Sequence, residues 1–429
     1  MPQALLFDTG EICILKIGLY MNQKVTAGGG FQEAINAIGT FSNDNITNID
    51  VMIFTSLREN LEYIEQEGYT GKFISLHPIR RLQLFIRHIL LSLSYKLVPG
   101  NTRITYLIKK IIGKYNYFEK FFIKEKVDLI YFTSPDPCAF YTESLNYIIT
   151  LWDLAFWTIP EFPELREDHA FETRDYYYSK VLPRSYACLV GHGYAKKLAV
   201  NIYNIPDEKV FIIPFKASKF LVDLEENKEF SPKIKSQSIR NLLDKKYVFY
   251  PAQYWAHKNH IYIIDALQIL SKKYGENVML VCSGSDKGNY KHLEAIIEQT
   301  ALTDNVAFMG FLSSEELYLL YKNALAVVMP TYLGPASLPT LEAFHLGVPV
   351  IYPNFQHFRR YYGDGCLYID LNNPSTLANN ILELINSDEL RNKLIKSGRI
   401  QYQKILDDNE KEKFLEHILA FNSIRRTFE

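Results

Sequence analysis

Three segments of the chain carry residue types at spacings that could do chemistry. The first is VVMPTYLGPASLPTLEAFHLGVPVI, residues 327–351. Its order is strand, loop with Gly and Pro, short helix, Gly turn, strand. The loop delivers Ser337 and Leu338 to a helix start, where free N–H groups and the positive dipole end suit a diphosphate. Glu342 follows about one turn later, placed to accept hydrogen bonds from two ribose hydroxyls. An ordinary βα connection carrying a surface Glu fits the same spacing. The second segment is YPAQYWAHKNH, residues 250–260. It leaves a strand and enters a helix, so Lys258 could meet phosphate oxygens at the strand end. His257 and His260 stand at i, i+3 without a nearby acid, which suits ordinary polar or capping roles better than zinc. The third segment is KVTAGGGFQEAI near the N-terminus. Gly28, Gly29 and Gly30 let the backbone approach a ligand closely or simply turn. They do not form GxGxxG, so a dinucleotide fingerprint is unsupported.

The elements that must hold these residues can be read from hydrophobic patterning. Apolar, β-branched runs at 13–21, 51–55, 72–76, 128–133, 147–152, 187–190 and 209–214 predict strands, with helical patterns at 31–38, 80–97 and 172–182. The alternation resumes with strands at 247–251, 278–283, 306–310, 324–330, 348–352 and 367–369. Helical patterns at 260–273, 291–299, 314–322, 338–346 and 374–386 lie between them. Apolar strands alternating with helices predict parallel sheets covered on both faces. The polar stretch 216–244 reads as a linker. We therefore expect an α/β chain of two Rossmann-like doubly wound domains, 1–230 and 231–405. A C-terminal helix in 406–429 is expected to pack back toward the first domain. Open α/β sheets bind ligands beyond the carboxyl ends of their strands. Two such sheets facing each other would enclose a cleft.

Bulk composition bounds the function. The chain has 429 residues. With domains of about 100–200 residues each, two are the natural count and three are permitted. Hydrophobic residues make up 48% and charged residues 22%. That balance excludes a disordered or membrane-spanning class. A formal net charge of −1 argues against a nucleic-acid-coating protein. The five cysteines are scattered, with no CxxC, and read as buried thiols in a reducing cytoplasm. No signal peptide or apolar run of ~20 residues is evident.

Taken together, the three segments resemble the retaining glycosyltransferases of family 4, which have the GT-B fold. The resemblance runs from about Cys13 to the C-terminal helix. It implies that the glycine loop faces donor and acceptor, and that Lys258 binds the donor diphosphate. GFLSSEEL, residues 310–317, resembles the loop that touches the nucleobase, and Gly284 and Phe311 join the donor-side set. Glu342 matches the second Glu of the family's E-x7-E motif, a ribose ligand. TLWDLAFWTIPEFPE, residues 150–164, resembles an acceptor-domain stretch, with Trp152 and Asp153 on the acceptor side. The sequence departs from the family twice. The first Glu of E-x7-E falls on Gly334, which we read as the trait of a GPxxxPxLEA branch. The usual His beside Asp153 is missing, and His192 is the substitute we single out.

The resemblance implies transfer of a sugar from a nucleotide diphosphate sugar to a saccharide or glycolipid hydroxyl, with retention. The setting it implies is bacterial surface polysaccharide or glycolipid synthesis by a cytoplasmic hexosyltransferase. Lys258 and the N–H groups around Ser337 and Leu338 would meet the leaving-group charge, and Asp153 would orient acceptor or sugar. No DxD occurs, so no metal or other cofactor is expected. A basic, apolar stretch at 79–126 includes IRRLQLFIRHILLSLSYKL. It suits an anionic membrane surface, or a helix packed on its own domain with a solvated basic face. The rivals are a non-catalytic GT-B module that binds nucleotide or a partner, and a two-domain dehydrogenase. The missing GxGxxG counts against the second.

Overall fold

The computed structural model describes residues 14–24, 29–41, 48–66, 69–76, 81–87, 89–90, 116–227, 236–334 and 336–427. The first seven strands are β1 (Leu15–Tyr20), β2 (Ile49–Thr55), β3 (Gly71–Phe73), β4 (Leu129–Phe132), β5 (Asn146–Leu151), β6 (Ala187–Val190) and β7 (Val210–Ile212). They form one sheet in the order β3-β2-β1-β4-β5-β6-β7. The next six are β8 (Tyr247–Pro251), β9 (Met279–Ser283), β10 (Val306–Phe308), β11 (Ala326–Val328), β12 (Val350–Pro353) and β13 (Cys366–Ile369). Their order is β10-β9-β8-β11-β12-β13. Every pairing between these strands is parallel. Strands such as β4 and β9 are buried along their whole length, because helices cover both sheet faces. This is the two-domain doubly wound architecture expected from the alternating pattern.

In each sheet the strand order reverses once, between β1 and β4 and between β8 and β11. Such switch points leave a crevice at the strand carboxyl ends. Residues 21–30 follow β1, residues 252–259 follow β8 and residues 329–337 follow β11. The three sequence segments therefore sit at the crevices.

The stretch 216–244 is more than a linker. It contains helices Lys219–Glu226 and Gln237–Leu243, and Leu221, Ile239 and Leu242 are buried in the second domain's core. Their apolar positions are diluted by Lys, Glu and Ser, which hid them.

The chain returns to the first domain at its end. Helix Asp388–Asp407 lies on the second domain, with Leu394 and Ile405 in that core. Helix Lys411–Arg425 packs Phe414, Ile418 and Phe421 against Leu15, Ile17 and Phe211 of the first. Arg425 pairs with Asp128. Between the two helices, Glu410 is bound to the end of β7. Its N–H donates to the Ile212 carbonyl at 2.8 Å, and its carboxylate accepts the Ile212 N–H at 2.9 Å. Lys196 reaches the same carboxylate at 3.1 Å. The chain's first passage between domains starts at that same strand end.

Candidate functional site

The first wall of the cleft is built from the turns after β1 and β5. Helix Gly29–Ile38 opens at the glycine loop. A Cβ at Gly30 would stand 2.9 Å from the Trp152 ring, so any larger residue would push the indole aside. Gly28 lies outside the described residues. The Trp152 indole Nε1 is buried without a hydrogen-bond partner among the described residues. The next residue, Asp153, is exposed and accepts the Ala155 N–H at 2.9 Å, opening the short helix Ala155–Thr158.

The second wall comes from the turns after β8, β9, β10 and β11. A 3-10 turn, Ala256–Lys258, ends at left-handed Asn259 and leads into helix His260–Ile269. Tyr250 donates its hydroxyl hydrogen to the Lys258 carbonyl at 2.7 Å, fixing the turn. Burial lowers the Lys258 ammonium from its ordinary value to about 8, against the pull of the Asp153 charge, because a buried cation is poorly solvated. The two residues thus sense each other across the domains. Gly284 has φ +147, and a Cβ there would be 2.6 Å from the Ala252 carbonyl. Its N–H donates to the Gly310 carbonyl at 2.9 Å. Phe311 is 69% exposed, a bare aromatic face on the cleft.

The helix after β11, Leu338–Leu346, places three expected donor residues. Here the structure corrects the sequence reading. The Ser337 N–H is already donated to the Tyr362 hydroxyl at 3.1 Å, and Pro339 has no N–H. Leu338 is left as the amide of this turn that a ligand could use. Glu342 is not the surface residue of the alternative reading. It is buried, and the Tyr321 hydroxyl donates to its Oε2 at 2.7 Å. Burial raises its carboxyl above the usual range, opposed by hydrogen bonds from Tyr321 and Ser218, as desolvation disfavours the charged form. Gly334, where the family motif would have its first Glu, has φ +54 and open space around it.

His192 also lines the cleft, but its ring has a structural task. Nδ1 accepts the Ala195 N–H at 3.1 Å and caps helix Gly193–Tyr203. Burial, aided by His357, pushes it down to about 3, so the ring is neutral with its proton on Nε2. His192 can donate to a ligand but cannot accept a proton near neutral pH.

Gly30, Trp152, Asp153, His192, Lys258, Gly284, Phe311, Ser337, Leu338 and Glu342 all line one cleft of about 1680 Å³ between the domains. That volume exceeds the ~300–1,000 Å³ of a typical single-ligand pocket. The sequence reading assigned no role to Glu164, which joins the two walls. The same carboxylate oxygen accepts the His257 backbone N–H at 3.0 Å and meets its Nδ1 at 2.6 Å. His257 is buried and drawn down to about 4 by burial and the Lys258 charge. Its neutral ring therefore donates Nδ1–H to an ionised Glu164. His260 packs its ring against Tyr250 and Tyr254.

Residues 232–401 match the family model described as glycosyl transferases group 1. An uncharacterised glycosyltransferase of Methanocaldococcus jannaschii is 29% identical over 157 residues, 36% of this chain and 39% of the relative. The O-antigen chain mannosyltransferase RfbU of Salmonella typhimurium is 26% identical over 175 residues, 41% of this chain and 44% of the relative. The chain thus spans less than half the length of these two relatives. Among solved structures, Anabaena HepE in complex with UDP superposes with a TM-score of 0.62 at 14% identity, covering 95% of this chain and 100% of that one. The two facing sheets are therefore the GT-B fold.

Proposed function

We propose that the chain is a retaining glycosyltransferase. It moves a sugar from a nucleotide diphosphate sugar to an acceptor hydroxyl in the synthesis of a bacterial surface polysaccharide or glycolipid. One observation carries this reading. The cation Lys258, the free Leu338 amide and the buried Glu342 carboxylate line the cleft wall opposite Trp152 and Asp153. The match of residues 232–401 to group 1 glycosyl transferases supports it, and UDP in the Anabaena structure supports a nucleotide donor.

The chemical difficulty lies in the leaving group. As the sugar–oxygen bond breaks, its electron pair stays with the diphosphate. Lys258 and the Leu338 N–H meet that charge inside a partly closed cleft. Preorganised donors of this kind contribute about 3–4 kcal/mol each where measured. Glu342 accepts ribose hydroxyls through the carboxylate that Tyr321 and Ser218 hold in place. Phe311 offers its exposed ring to the base. Asp153, within electrostatic reach of Lys258, orients the acceptor or the transferred sugar. The scheme uses no metal, since the protein's own cation faces the diphosphate.

A thermal-shift panel of UDP-, GDP-, ADP- and TDP-sugars tests donor binding without the acceptor. The likeness to an O-antigen mannosyltransferase puts a mannose nucleotide in that panel. Stabilisation by none of them would remove the assignment. Donor binding without transfer or hydrolysis would favour a non-catalytic binding module.

A peripheral membrane contact belongs to the same proposal. Leu82, Phe85, Ile86, Ile89 and Leu90 are exposed on helical residues beside the cleft. Arg87 does not belong to a solvated basic face, because it is buried in a bidentate pair with Glu143. Residues 91–115, which carry Lys96, Arg103, Lys109, Lys110 and Lys114, lie outside the described residues. No helix among the described residues is long and apolar enough to cross a membrane. Liposome sedimentation with and without anionic lipid tests the contact, and no lipid-dependent pelleting at low salt would remove it.

A further inference from the structure

Two buried polar groups on the first-domain wall have no hydrogen-bond partner among the described residues: Glu33 Oε1 and Trp152 Nε1. Both residues line the cleft. Buried polar atoms in folded proteins are almost always paired, so an orphan calls for a partner the structure does not hold. The two are close in the fold. Trp152 packs on Gly30, and Glu33 lies further along the same helix, about one turn beyond Gly30. They are also chemically complementary. An indole N–H only donates, and a carboxyl C=O oxygen accepts whether or not the group is ionised. A hydroxyl group does both, so one hydroxyl, or two neighbouring ones, would satisfy the pair. Water would serve each alone, but a polyol matches both at once.

The surroundings say which polyol. Burial pushes the Glu33 carboxyl well above the usual carboxylate range, and the Glu342 charge across the cleft adds to the rise, so the two lie within electrostatic reach. Asp153, next to Trp152, is within reach of the Lys258 charge. The pair therefore borders the donor's diphosphate from the first-domain side, where the transferred sugar must lie to meet an acceptor. On the second-domain wall, Gly334 has no side chain, and the space around it is open. Position 334 thus offers a hydroxyl no side-chain partner, whereas this wall holds two unpartnered polar atoms.

We propose that Glu33 and Trp152 form a hydroxyl-reading pair that recognises the transferred sugar of the donor. This inference rests on the donor-site reading above. Asn36 is the hydrogen-bonding neighbour that lowers the Glu33 carboxyl, Lys216 is the nearby cation, and Oε1 has no partner among the described residues. That leaves Oε1 for the ligand. The pair makes the first domain a determinant of donor sugar choice, in addition to housing the acceptor.

The test compares each nucleotide sugar with its bare nucleoside diphosphate by calorimetry. It uses wild type, Trp152→Phe, Glu33→Ala and Glu33→Gln, each checked for an unchanged circular dichroism spectrum. Wild type should bind the sugar nucleotide more tightly than the diphosphate. Trp152→Phe and Glu33→Ala should each lose about tenfold of that advantage, with diphosphate affinity unchanged. Glu33→Gln, which keeps an acceptor oxygen and the shape, should retain part of it. Unchanged sugar-nucleotide affinity, or equal losses for both ligands, would overturn the pair while leaving the donor site standing. A wild type that binds no nucleotide at all would overturn both readings.

Discussion

Glu164 and His257 are 93 residues apart in sequence and belong to different domains, yet one oxygen of Glu164 engages both the backbone N–H and the ring Nδ1 of His257. His257 immediately precedes Lys258. The clasp therefore sets where the second domain's cation stands relative to Trp152 and Asp153. Replacing Glu164 by Ala strands two buried donors, at a cost of about 1–3 kcal/mol. We expect a lower Tm and a raised donor KM. Glu164→Gln, which still offers a carbonyl oxygen, should recover most of both. An unchanged Tm in Glu164→Ala would show that the clasp contributes nothing.

The same contact has a pH signature. The His257 ring is held at about 4, below its ordinary 6.5, so the unfolded chain binds this proton more readily than the folded one. Stability from a neutral His257 is complete above the ordinary value. It declines as pH falls from there toward about 4. In Glu164, burial raises the carboxyl, but the hydrogen bonds from His257 outweigh it and leave it below the usual range. Its contribution is therefore also lost on acidification. Urea denaturation between pH 7 and pH 4 should show the decline, and His257→Asn should flatten it.

Lys258 gives a prediction of opposite direction. Its ammonium loses its proton as pH rises through about 8. Diphosphate affinity should therefore weaken above that pH in the free enzyme. Lys258→Ala should cost about 10²–10³ in kcat and remove the alkaline limb of the binding profile. Nucleoside diphosphate titrations at pH 7 and pH 9 distinguish the two forms.

Two glycines on the cleft should respond differently. Gly284→Ala places a methyl 2.6 Å from the Ala252 carbonyl and should both destabilise the protein and displace the loop carrying Gln253. Gly334→Glu meets open space. Its cost is only that of the left-handed backbone, about 1–2 kcal/mol. That variant should fold, and a change in its ranking of donor sugars would show that position 334 reads the sugar. Thermal melts and the donor panel supply the two measurements.

Phe414→Ala removes a fully buried ring from between Phe41 and Phe211. A loss of about 3–5 kcal/mol is expected. It should appear in thermal denaturation of the whole chain. A Tm within a degree of wild type would mean that the last helix is a dispensable appendage.

The strands were legible because parallel strands are buried on both faces and read as unbroken apolar runs. Each predicted strand overlaps an observed one, and the helices at 314–322, 338–346 and 374–386 match to the residue. What escaped was pairing and burial. Glu164 sits in a quoted motif, but nothing local announces a partner 93 residues on. Glu33 was assigned no role, since periodicity cannot tell a helix face turned to solvent from one turned to a cleft. Glu342 was placed correctly on its helix, while the hydroxyl that holds it comes from Tyr321 on another helix. The spare amides at Ser337 were overcounted for the same reason, because the Tyr362 hydroxyl that takes one belongs to a later element. Leu221, Ile239 and Leu242 were masked by charged neighbours.

The contact between Glu410 and Ile212 fixes how such a molecule can open. The polypeptide passes from one domain to the other twice, and both passages meet at the end of β7. A single passage would leave a universal joint, free to swing and twist. Two passages fastened side by side behave as a door hinge. They permit rotation about one short axis and resist torsion about the line joining the domains. The far lip of the cleft, where Glu164 meets His257, is then the latch of that door. Cutting the chain at either passage would leave the domains tethered by the other, with the twist restored.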